Sequence, residues 1–464
     1  MAASHFHAIA LDLGTTAIKA GLLDGGGGLC GIVSRAAPEM KVEGGRYESD
    51  ALAYARVAEQ VLEECMAGAR GMPPLGLCSQ RSTFLVWNRS TGDPATRLIS
   101  WQDNRGEASC EALRQEEGVI GELTGLRLTP YYFAPKLRLL LLERPELRAG
   151  LERGELLAGT LDTFLIWRWT GGRHFITDAS MAARTLLMGL RSQRWSPTLC
   201  DLFDIPLALL PEIMPSAGLN LRLGNGLTLK ACMGDQSAAL IASVGTSRSD
   251  VLVNLGTGGF VLRYLAEGEA AQAGYLRTMV FQDGRHHAHI AMEGTLNSLA
   301  AALAPYPVGE CGVDDLARGD IYCLAEPSGL GAPYFRSDLG MRFSAPVEPL
   351  PPHQVGCILL EGIIFRVARV LEDFQRASPI GRVLLSGGLS ELAALQQGIA
   401  QCAPCDVLRL KQKDSSLLGA ALAAAGMETV TGGVAEKIQV AHGVSRLGVQ
   451  YQRWKAWFDA QLAK

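Results

Sequence analysis

The sequence contains no long run of apolar residues. Its longest apolar stretches, residues 136–143 and 417–426, fall well below the ~18 residues with which a helix spans a bilayer. The opening stretch, MAASHFHAIALDLG, lacks both the charged start and the long apolar core of a secretion signal. We therefore expect a cytoplasmic protein without a transmembrane segment.

An excess of either charge is also missing. The chain has 43 Lys and Arg against 47 Asp and Glu, a formal net charge of −4, and no basic block along its length. Proteins that hold nucleic acid or an anionic membrane surface usually carry such a block. Neither is expected as a partner, a small molecule is the better expectation, and a homodimer stays open as an assembly.

Paired cysteine motifs at zinc spacing are missing too. The eleven cysteines are scattered and odd in number, which suits reduced thiols rather than a disulfide framework. Cys402 and Cys405 form the only CxxC, and buried apolar cysteines are a better interpretation than a metal or redox site. His286, His287 and His289 follow a turn signal, where surface histidines of a hairpin are favoured over metal ligands.

Two common nucleotide-binding signatures do not occur. The chain has no G-x-x-x-x-G-K-[ST] sequence, and no G-x-G-x-x-G lies between a predicted strand and a predicted helix. A P-loop fold and a dinucleotide-binding fold are therefore disfavoured.

Strand-like and helix-like segments alternate along the whole chain of 464 residues. Runs rich in Val, Ile and Leu are followed by longer stretches with helical spacing of apolar residues, which indicates the α/β class. Helices are predicted at residues 50–68, 107–117, 355–375 and 451–462. The length predicts two large domains or three ordinary ones.

The most informative feature is a near-repeat. Residues 9–27 contain an apolar run, Asp12, a Gly-Thr-Thr turn and a second apolar run, and residues 251–262 (VLVNLGTGGFVL) repeat this plan about half a chain later. Such internal similarity predicts two related halves, each opening with a strand-turn-strand unit. The boundary is expected near residue 245, which gives domains at 1–245 and 246–464.

The turns of this repeat are suited to phosphate. Turns built from Gly and Thr let backbone N–H groups approach an anion closely, and the threonine hydroxyls add further donors. Asp12 lies at a strand end beside the first turn and could hold Mg²⁺ directly or through water, while Lys19 would help neutralise charge. A plain hairpin turn is the alternative, because these are also ordinary turn residues.

A third candidate site follows a buried strand in residues 382–403. Gly387 and Gly388 there permit a flat ring such as adenine to lie against the backbone. The helix predicted at 414–426 is rich in Ala and Gly, which serves either a ligand or close packing of layers.

Together these motifs resemble the FGGY family of carbohydrate kinases, within the actin, Hsp70 and hexokinase-like ATPase superfamily. The resemblance runs from residue 8 to about 426, and its strength lies in the order of the motifs. They are DLGTT (12–16), GLCSQRSTFLVWNRSTGDP (76–94), ISWQDNR (99–105), YYFAPKLRLLL (131–141), GDQSAAL (234–240), NLGTGGF (254–260), GAPYFRSDLG (331–340) and LLSGGLS (384–390).

The resemblance implies two ribonuclease H-like (actin-like ATPase) domains with a cleft between them, and ATP- and Mg²⁺-dependent phosphorylation of a sugar or polyol hydroxyl. It implies that Asp235 is the general base. The nucleotide-binding residues that it implies are Asp12, Gly14, Thr15, Thr16, Lys19, Gly256, Thr257, Gly258, Gly387 and Gly388, with Asp12 as the Mg²⁺ residue. The substrate pocket that it implies contains Gln80, Arg81, Trp101, Asp103, Tyr131, Gln236 and Phe260.

The substrate expected from the resemblance is a ketose, either a pentulose or a heptulose. Ser82 stands where the glycerol kinase branch typically carries an acid, and losing that acceptor for vicinal hydroxyls disfavours glycerol. A glycerol kinase-like polyol kinase and a non-catalytic nucleotide-dependent binding protein remain the alternatives. Leu139 and Glu391 also depart from the family pattern, and an ion pair between Arg81 and Asp103 is an alternative to their contact with substrate.

Overall fold

The structure is a computed structural model that describes residues 6–69, 71–266, 269, 271–411, 414–427, 435–440 and 446–464. The described residues divide into two compact units. The first lies within Met1–Gly245, Arg277–Ile290 and Asp414–Thr429, and the second lies within Thr246–Leu276, Ala291–Lys413 and Val430–Lys464. The predicted domains were two continuous stretches, whereas the first unit also takes two segments from the second half of the chain.

The strands up to residue 245 all belong to the first unit. They are β1 (Ala8–Leu13), β2 (Ala17–Leu23), β3 (Leu29–Ala36), β4 (Lys41–Glu43), β5 (Arg46–Ser49), β6 (Leu75–Ser79), β7 (Phe84–Asn88), β8 (Leu98–Ile99), β9 (Leu156–Thr160), β10 (Ile176–Asp178), β11 (Met188–Gly189), β12 (Arg194–Trp195), β13 (Glu212–Met214), β14 (Ala217–Arg222) and β15 (Thr228–Gly234).

The helices of the same stretch are α1 (Ala51–Met66), α2 (Glu107–Ala112), α3 (Glu117–Thr124), α4 (Phe133–Glu143), α5 (Pro145–Glu152), α6 (Leu161–Trp169), α7 (Ala179–Ala182), α8 (Pro197–Leu202) and α9 (Asp235–Val244). The helix predicted at 107–117 is thus two helices, because α2 ends at Ala112 and α3 begins at Glu117. The helix predicted at 50–68 is α1, whose first turn is capped by the side chain of Asp50, an acceptor for the N–H of Ala53.

A six-stranded sheet with the order β14-β15-β6-β1-β2-β3 organises the first unit. The strands β1, β2 and β3 are antiparallel neighbours, whereas β6 pairs in parallel with both β1 and β15. The register aligns Leu13 with Ser79 and Ser79 with Gly234. Three parallel strands therefore end at one edge of the sheet, and the residues that follow them lie side by side.

The remaining strands are β16 (Asp250–Leu255), β17 (Gly259–Tyr264), β18 (Leu276–Gln282), β19 (Ala288–Leu296), β20 (Cys323–Leu324), β21 (Arg342–Phe343), β22 (Arg382–Ser386), β23 (Val407–Leu410) and β24 (Ala435–Lys437). The remaining helices are α10 (Leu299–Leu303), α11 (Pro352–Ala377), α12 (Ala393–Cys402), α13 (Ser415–Ala425) and α14 (Arg446–Leu462). The predicted helices at 355–375 and 451–462 are α11 and α14, each longer at its start.

The second unit repeats the strand plan of the first. β16 and β17 form an antiparallel hairpin, and β16 pairs in parallel with β22, whose other neighbour is the parallel strand β23. The near-repeat in the sequence is therefore a repeat of strand topology. Parts of β18 and β19 within residues 277–290 are grouped with the first unit. α11 is buried along most of its length in the core of the second unit.

The Ala- and Gly-rich helix α13 belongs to the first unit, where it packs closely. A Cβ atom on Gly419 would collide with the carbonyl oxygen of Ala238 in α9. One on Gly76 of β6 would collide with the carbonyl oxygen of Ala420. The small residues of α13 therefore serve the contact between layers, one of the two roles that its composition predicts. Among the described residues, no helix combines the length and the apolar character needed to cross a membrane.

Candidate functional site

The first unit brings the carboxylate of Asp12 to the edge of its sheet. Oδ2 of Asp12 accepts a 2.5 Å hydrogen bond from Oγ of Ser416, the second residue of α13. Oδ1 is buried and has no hydrogen-bond partner among the described residues. The pKa of Asp12 is raised to about 6, chiefly by burial and also by the negative charge of Asp235, while the Ser416 hydrogen bond opposes the rise. Asp12 and Asp235 therefore interact electrostatically.

Asp235 is the first residue of α9 and directly follows β15. Its Oδ1 accepts a 2.7 Å hydrogen bond from the N–H of Gln236 and lies 3.9 Å from Nε of Arg81. Burial raises the pKa of Asp235, and the Arg81 guanidinium opposes the rise. A Cβ atom on Gly234 would lie 2.8 Å from Cδ of Arg81, so this glycine makes room for the arginine beside the carboxylate.

Arg81 also donates to Oε1 of Gln236. Three of the predicted site residues, Arg81, Asp235 and Gln236, are thus in mutual contact. They present a guanidinium, a carboxylate and an amide at the end of β15, and Asp12 lies near the end of β1, two strands away in the same sheet. Such a group can bind and deprotonate a hydroxyl, because it contains donors for the substrate oxygens and one acceptor for a proton.

A hydrogen-bonded chain connects the first phosphate turn with the predicted substrate segments. Nε1 of Trp101 donates to Oγ1 of Thr15 at 2.9 Å, and Oγ1 of Thr15 donates to Oε1 of Gln80 at 3.1 Å. Thr83 donates to the same Gln80 oxygen at 3.0 Å and accepts from the N–H of Trp101 at 3.0 Å. The Trp101 side chain is held at its polar end, although the residue is 40% exposed. An exposed indole held in this way offers a face to a small polar ligand.

Tyr54 extends this chain and was not predicted from the sequence. Its hydroxyl donates a 2.5 Å hydrogen bond to the carbonyl oxygen of Gly14 and accepts one from Nε2 of Gln80 at 3.3 Å. Tyr54 lies on the buried face of α1 and belongs to no motif. The surrounding sequence therefore gives no signal that Tyr54 hydrogen-bonds to Gly14 and Gln80.

Asp103 is placed differently from the other predicted pocket residues. It is fully buried, and Arg105 donates to it from Nε at 2.7 Å, from Nη2 at 2.8 Å and from its backbone N–H at 3.0 Å. The N–H of Tyr47 also donates to Oδ2 at 2.7 Å. Both oxygens are therefore occupied within the first unit. Asp103 forms its ion pair with Arg105. The alternative considered from the sequence was an ion pair between Asp103 and Arg81.

Tyr131 lies beside Arg184, whose Nη2 is 3.5 Å from the Tyr131 hydroxyl. The Arg184 guanidinium also lies over the ring of Tyr132, with Cζ 5.4 Å from its centroid, and its charge lowers the pKa of Asp235. The Ser82 hydroxyl donates to the carbonyl oxygen of Arg184 at 3.0 Å. The Ser82 hydroxyl is thus hydrogen-bonded to the backbone. Ser82 does not supply the carboxylate that the glycerol kinase branch typically carries at this position.

Lys136 is the lysine of the segment 131–141, and it is a buried structural group. Its ammonium nitrogen donates to the carbonyl oxygens of Ser82 at 2.9 Å and Ser100 at 2.8 Å. Burial lowers the pKa of Lys136 well below its ordinary value, and the charge of Asp103 opposes this. The side chain therefore ties together the two backbone segments that carry Arg81 and Trp101.

The ammonium group of Lys19 has an ion-pair partner within the first unit. It pairs with Oδ1 of Asp414 at 2.7 Å, and its side chain is 34% exposed. Asp414 and Ser416 both come from the start of α13, which the sequence analysis assigned to the other half of the chain. A serine or an aspartate before an Ala-rich helix is an ordinary cap signal, so their partners could not be found from sequence.

The turn with the second predicted phosphate motif joins β16 and β17 in the second unit. Gly256 donates its N–H to the carbonyl oxygen of Gly258 at 2.8 Å, and the carbonyl oxygen of Thr257 accepts from the N–H of Ala300 at 3.1 Å. Phe260 is half-buried and pairs with Asn254 across the hairpin. The backbone hydrogen bonds of Gly256 and Thr257 fix the path of this turn, and its binding of phosphate stays a prediction.

Gly387 and Gly388 lie beside this turn, because β22 runs parallel to β16 with Ser386 opposite Asn254. Gly387 has a φ of 91°, and a Cβ atom there would collide with the carbonyl oxygen of Leu255. A Cβ atom on Gly388 would meet nothing within 4 Å. Gly387 is therefore needed for the backbone path, and the space beside Gly388 is open, while contact of either glycine with adenine stays a prediction.

Among the described residues, the clusters of three or more metal-ligating side chains include none of His286, His287, His289, Cys402 and Cys405. His287 lies 3.3 Å from the carboxylate of Asp283 with its side chain 71% exposed, and His289 stacks on Phe281. Cys402 and Cys405 have free, partly buried thiols.

Comparison with known proteins gives a family match for both halves of the chain. A model of the N-terminal domain of the FGGY family of carbohydrate kinases matches residues 7–241. A model of the C-terminal domain of the same family matches residues 251–427.

Curated relatives and solved structures agree with this match. A glycerol kinase from Alkalilimnicola ehrlichii is 34% identical over 444 residues, which cover 90% of this chain and 89% of that protein. An apulose kinase from Pectobacterium atrosepticum is 31% identical over 440 residues, covering 89% and 88%. The crystal structure of Plasmodium falciparum glycerol kinase with ADP superposes with a TM-score of 0.82 at 20% identity, covering 97% of this chain and 98% of that one. The latter likeness shows a shared two-domain α/β fold.

Proposed function

Because this chain belongs to the FGGY family of carbohydrate kinases and is therefore a phosphotransferase, we propose that it phosphorylates a small polyol with Asp235 as general base. The phosphoryl donor is ATP, which kinases of this family use as substrate. The observation that carries the proposal is the contact of Asp235 with Arg81 and Gln236 beside the charge of Asp12.

Asp235 is suited to accept the proton of the substrate hydroxyl. A hydroxyl is a weak nucleophile until a carboxylate orients it and takes its proton as the oxygen attacks the γ-phosphorus. Burial raises the pKa of Asp235, which makes it a stronger base than an exposed aspartate. Arg81 and Gln236 contact the carboxylate, and their guanidinium and amide are donor groups of the kind that binds substrate oxygens.

Asp12 is suited to Mg²⁺. Its Oδ1 is a buried acceptor without a hydrogen-bond partner among the described residues, and carboxylate oxygens are the ligands that Mg²⁺ prefers. The ion neutralises charge on the transferred phosphoryl group when it is bound. Ser416 orients the carboxylate through Oδ2 and leaves Oδ1 available.

Glycerol is the first substrate that we propose to test. The similarity to glycerol kinases, which match this chain at 30–34% identity, supports this alternative over the ketose preferred in the sequence analysis. The exposed Trp101 indole, Arg81 and Gln236 provide one apolar face and several donors, which suits a compact polyol.

A short ketose is the second candidate, and Ser82 is the observation that favours it. Its hydroxyl donates to the backbone carbonyl oxygen of Arg184, and a serine at this position supplies no carboxylate to accept from two vicinal hydroxyls. A substrate with a carbonyl oxygen in place of one hydroxyl needs fewer acceptors. The 31% identical apulose kinase is a relative whose name indicates such a substrate.

ADP release with Mg²⁺ and ATP, measured against glycerol, pentuloses, heptuloses, apulose and aldonates, tests the proposal. A kcat/KM for glycerol above that for every ketose would support the first candidate, and the opposite order would support the second. Substitution Ser82→Glu is expected to raise kcat/KM for glycerol relative to the ketoses, because it adds the missing acceptor.

The role of Asp235 needs a separate variant. Asp235→Asn keeps the size and the hydrogen bond to Gln236 while removing the base, so kcat is expected to fall about 10²- to 10⁴-fold. Nucleotide binding, followed by thermal stabilisation, should persist. The exposed acid Asp201→Asn is the matched control, and near-normal turnover by Asp235→Asn would refute the base assignment.

A further inference from the structure

The second unit holds a cluster of metal-binding side chains that phosphoryl transfer does not use. Cys311, His353 and Cys357 each present one ligand atom, and these atoms all lie within 4.8 Å of one another. His353 and Cys357 are separated by one helical turn at the start of α11, so the same face of that helix carries both. Cys311 comes from the segment between α10 and α11 and completes the group.

A fourth donor lies beside this cluster. Oδ2 of Asp315 is 3.5 Å from Nε2 of His353 and accepts a 2.9 Å hydrogen bond from the N–H of Gly312. That hydrogen bond holds the carboxylate toward the histidine, while Oδ1 lies 3.3 Å from the guanidinium of Arg318. Two thiols, an imidazole and a carboxylate are donor types that zinc takes in proteins.

The ligand atoms of Cys311, His353 and Cys357 lie close enough together to share one ion, and Asp315 adjoins them at His353. Bound zinc lies about 2.3 Å from sulfur and about 2.0 Å from nitrogen or oxygen, which places tetrahedral ligand atoms roughly 3.3–3.8 Å apart. The distance of 3.5 Å between His353 and Asp315 is already in this range. The distances among the ligand atoms of Cys311, His353 and Cys357, all within 4.8 Å, would shorten by up to about 1.5 Å when these side chains bind one ion.

Burial and access also fit an ion. The thiols of Cys311 and Cys357 are buried, whereas the side chains of His353 and Asp315 are 35% and 27% exposed. A cavity of about 240 Å³ is lined by Asp315, His353 and Cys357. The buried Cys357 therefore borders the cavity together with the more exposed His353 and Asp315, which gives an ion a path to the cluster.

We propose that Cys311, His353, Cys357 and Asp315 form a structural zinc site that fastens the segment around residues 311–315 to α11. Binding replaces the two thiol protons with the metal, and the protons go to solvent. Because zinc binds only the folded arrangement, it adds to the stability of this unit by mass action. The alternative is an ion pair between His353 and Asp315 above two free thiols.

Cobalt substitution tests the site on the full-length chain, reduced and stripped of metal. Titration with Co²⁺ alone is expected to saturate at one equivalent with two spectral features. One is a thiolate-to-cobalt charge-transfer band in the near ultraviolet, and the other is the intense visible absorption of tetrahedral cobalt. Zn²⁺ should displace the cobalt and raise Tm. Reduced, folded protein that gives no tetrahedral spectrum would overturn the proposal.

Variants test whether Co²⁺ binds at this cluster or at other thiols of the chain. Cys311→Ser should remove part of the charge-transfer intensity and weaken Co²⁺ binding by at least roughly tenfold. His353→Gln, at a half-exposed position that should not compromise folding, should weaken binding similarly. The double variant of Cys402 and Cys405 to serine is the control and should bind Co²⁺ as the wild type does. A spectrum that survives in Cys311→Ser but disappears in the control would place the metal elsewhere and refute the proposal.

Discussion

Ser416 donates a 2.5 Å hydrogen bond to Asp12, a residue 404 positions earlier in the chain. The bond occupies one oxygen of the carboxylate and leaves the other, buried, without a hydrogen-bond partner among the described residues. It also lowers the pKa of a group that burial and Asp235 raise. A helix from the second half of the chain therefore prepares the carboxylate that we propose as the Mg²⁺ residue.

Ser416→Ala should raise the Mg²⁺ concentration needed for half-maximal activity roughly tenfold, because a hydrogen bond to a charged group is lost and the pKa of Asp12 rises. The measurement is initial velocity against Mg²⁺ at saturating ATP and substrate. Ser243→Ala is the control, since its hydroxyl donates only to the carbonyl oxygen of Ala239 in its own helix. An unchanged Mg²⁺ dependence in Ser416→Ala would contradict the role given to Asp12.

Asp12→Asn should stabilise the metal-free protein at pH 7.5 while abolishing the kinase activity. The folded pKa of Asp12 is about 6 against an ordinary value of 3.8, so the folded state holds this proton more tightly than the unfolded state. Ionising Asp12 therefore costs stability between pH about 4 and about 6, and the full cost is present above pH 6. Removing the charge is expected to add about 1–3 kcal/mol to the free energy of unfolding.

Urea unfolding of both proteins without Mg²⁺ at several pH values measures this difference. Below pH 4 the two proteins should be nearly equal in stability, because Asp12 is then neutral in both states. A difference that stays constant across this pH range would mean that the stabilisation does not come from ionisation.

The kinase should lose activity as the pH falls through the raised pKa values of Asp12 and Asp235. Asp235 must be ionised to accept a proton, and Asp12 must be ionised to hold Mg²⁺, so protonation of either stops turnover. Because the two carboxylates interact, the acidic limb of kcat/KM reports the pair rather than one residue. An acidic limb centred near pH 4, the range of ordinary carboxylates, would contradict the raised values.

Trp101→Phe should raise KM for the substrate about fivefold with little change in kcat. It keeps an aromatic face but loses the hydrogen bond from Nε1 to Thr15 that holds the ring. Trp101→Ala should raise KM further, because it also removes the face. Trp169→Phe, which loses an exposed hydrogen bond to Glu59, is the matched control. Equal KM values for Trp101→Ala and the wild type would exclude a contact between this residue and the substrate.

Lys136→Met should lower the free energy of unfolding by about 2–4 kcal/mol, since it leaves two buried carbonyl oxygens without a donor. Denaturant unfolding measures the loss. The exposed Lys230→Met, which loses one bond to Asn220, serves as control and should change stability little. A Lys136→Met protein as stable as the wild type would show that the Ser82 and Ser100 carbonyls find other donors.

Much of the architecture was predictable because local motifs specify local backbone. The two Leu-Gly-Thr turns are hairpins at equivalent places in two sheets, and alternating strand and helix segments correctly indicated the α/β class. The family resemblance was confirmed by matches to both halves. The preferred ketose was less well supported than the glycerol-type alternative, since specificity depends on single side chains such as Ser82.

The partners of the motif residues could not be predicted in the same way. Asp103 belongs to a substrate motif, yet Arg105 and Tyr47 occupy its oxygens. Tyr54 belongs to no motif, yet it hydrogen-bonds to Gly14 and Gln80. Whether a polar side chain is available to a ligand depends on which other residues surround it, and that is a property of packing.

The sequence by itself determined the class of the protein, its repeated hairpins and the order of its phosphate and substrate motifs, because these follow from short-range backbone preferences and nearby residues. Tertiary structure alone decided that Ser416 orients Asp12, that Asp103 is enclosed, and that Cys311 lies beside His353 and Cys357. Such contacts join residues far apart in the chain, and only closure of the chain into a packed unit chooses among the many pairings that a sequence permits.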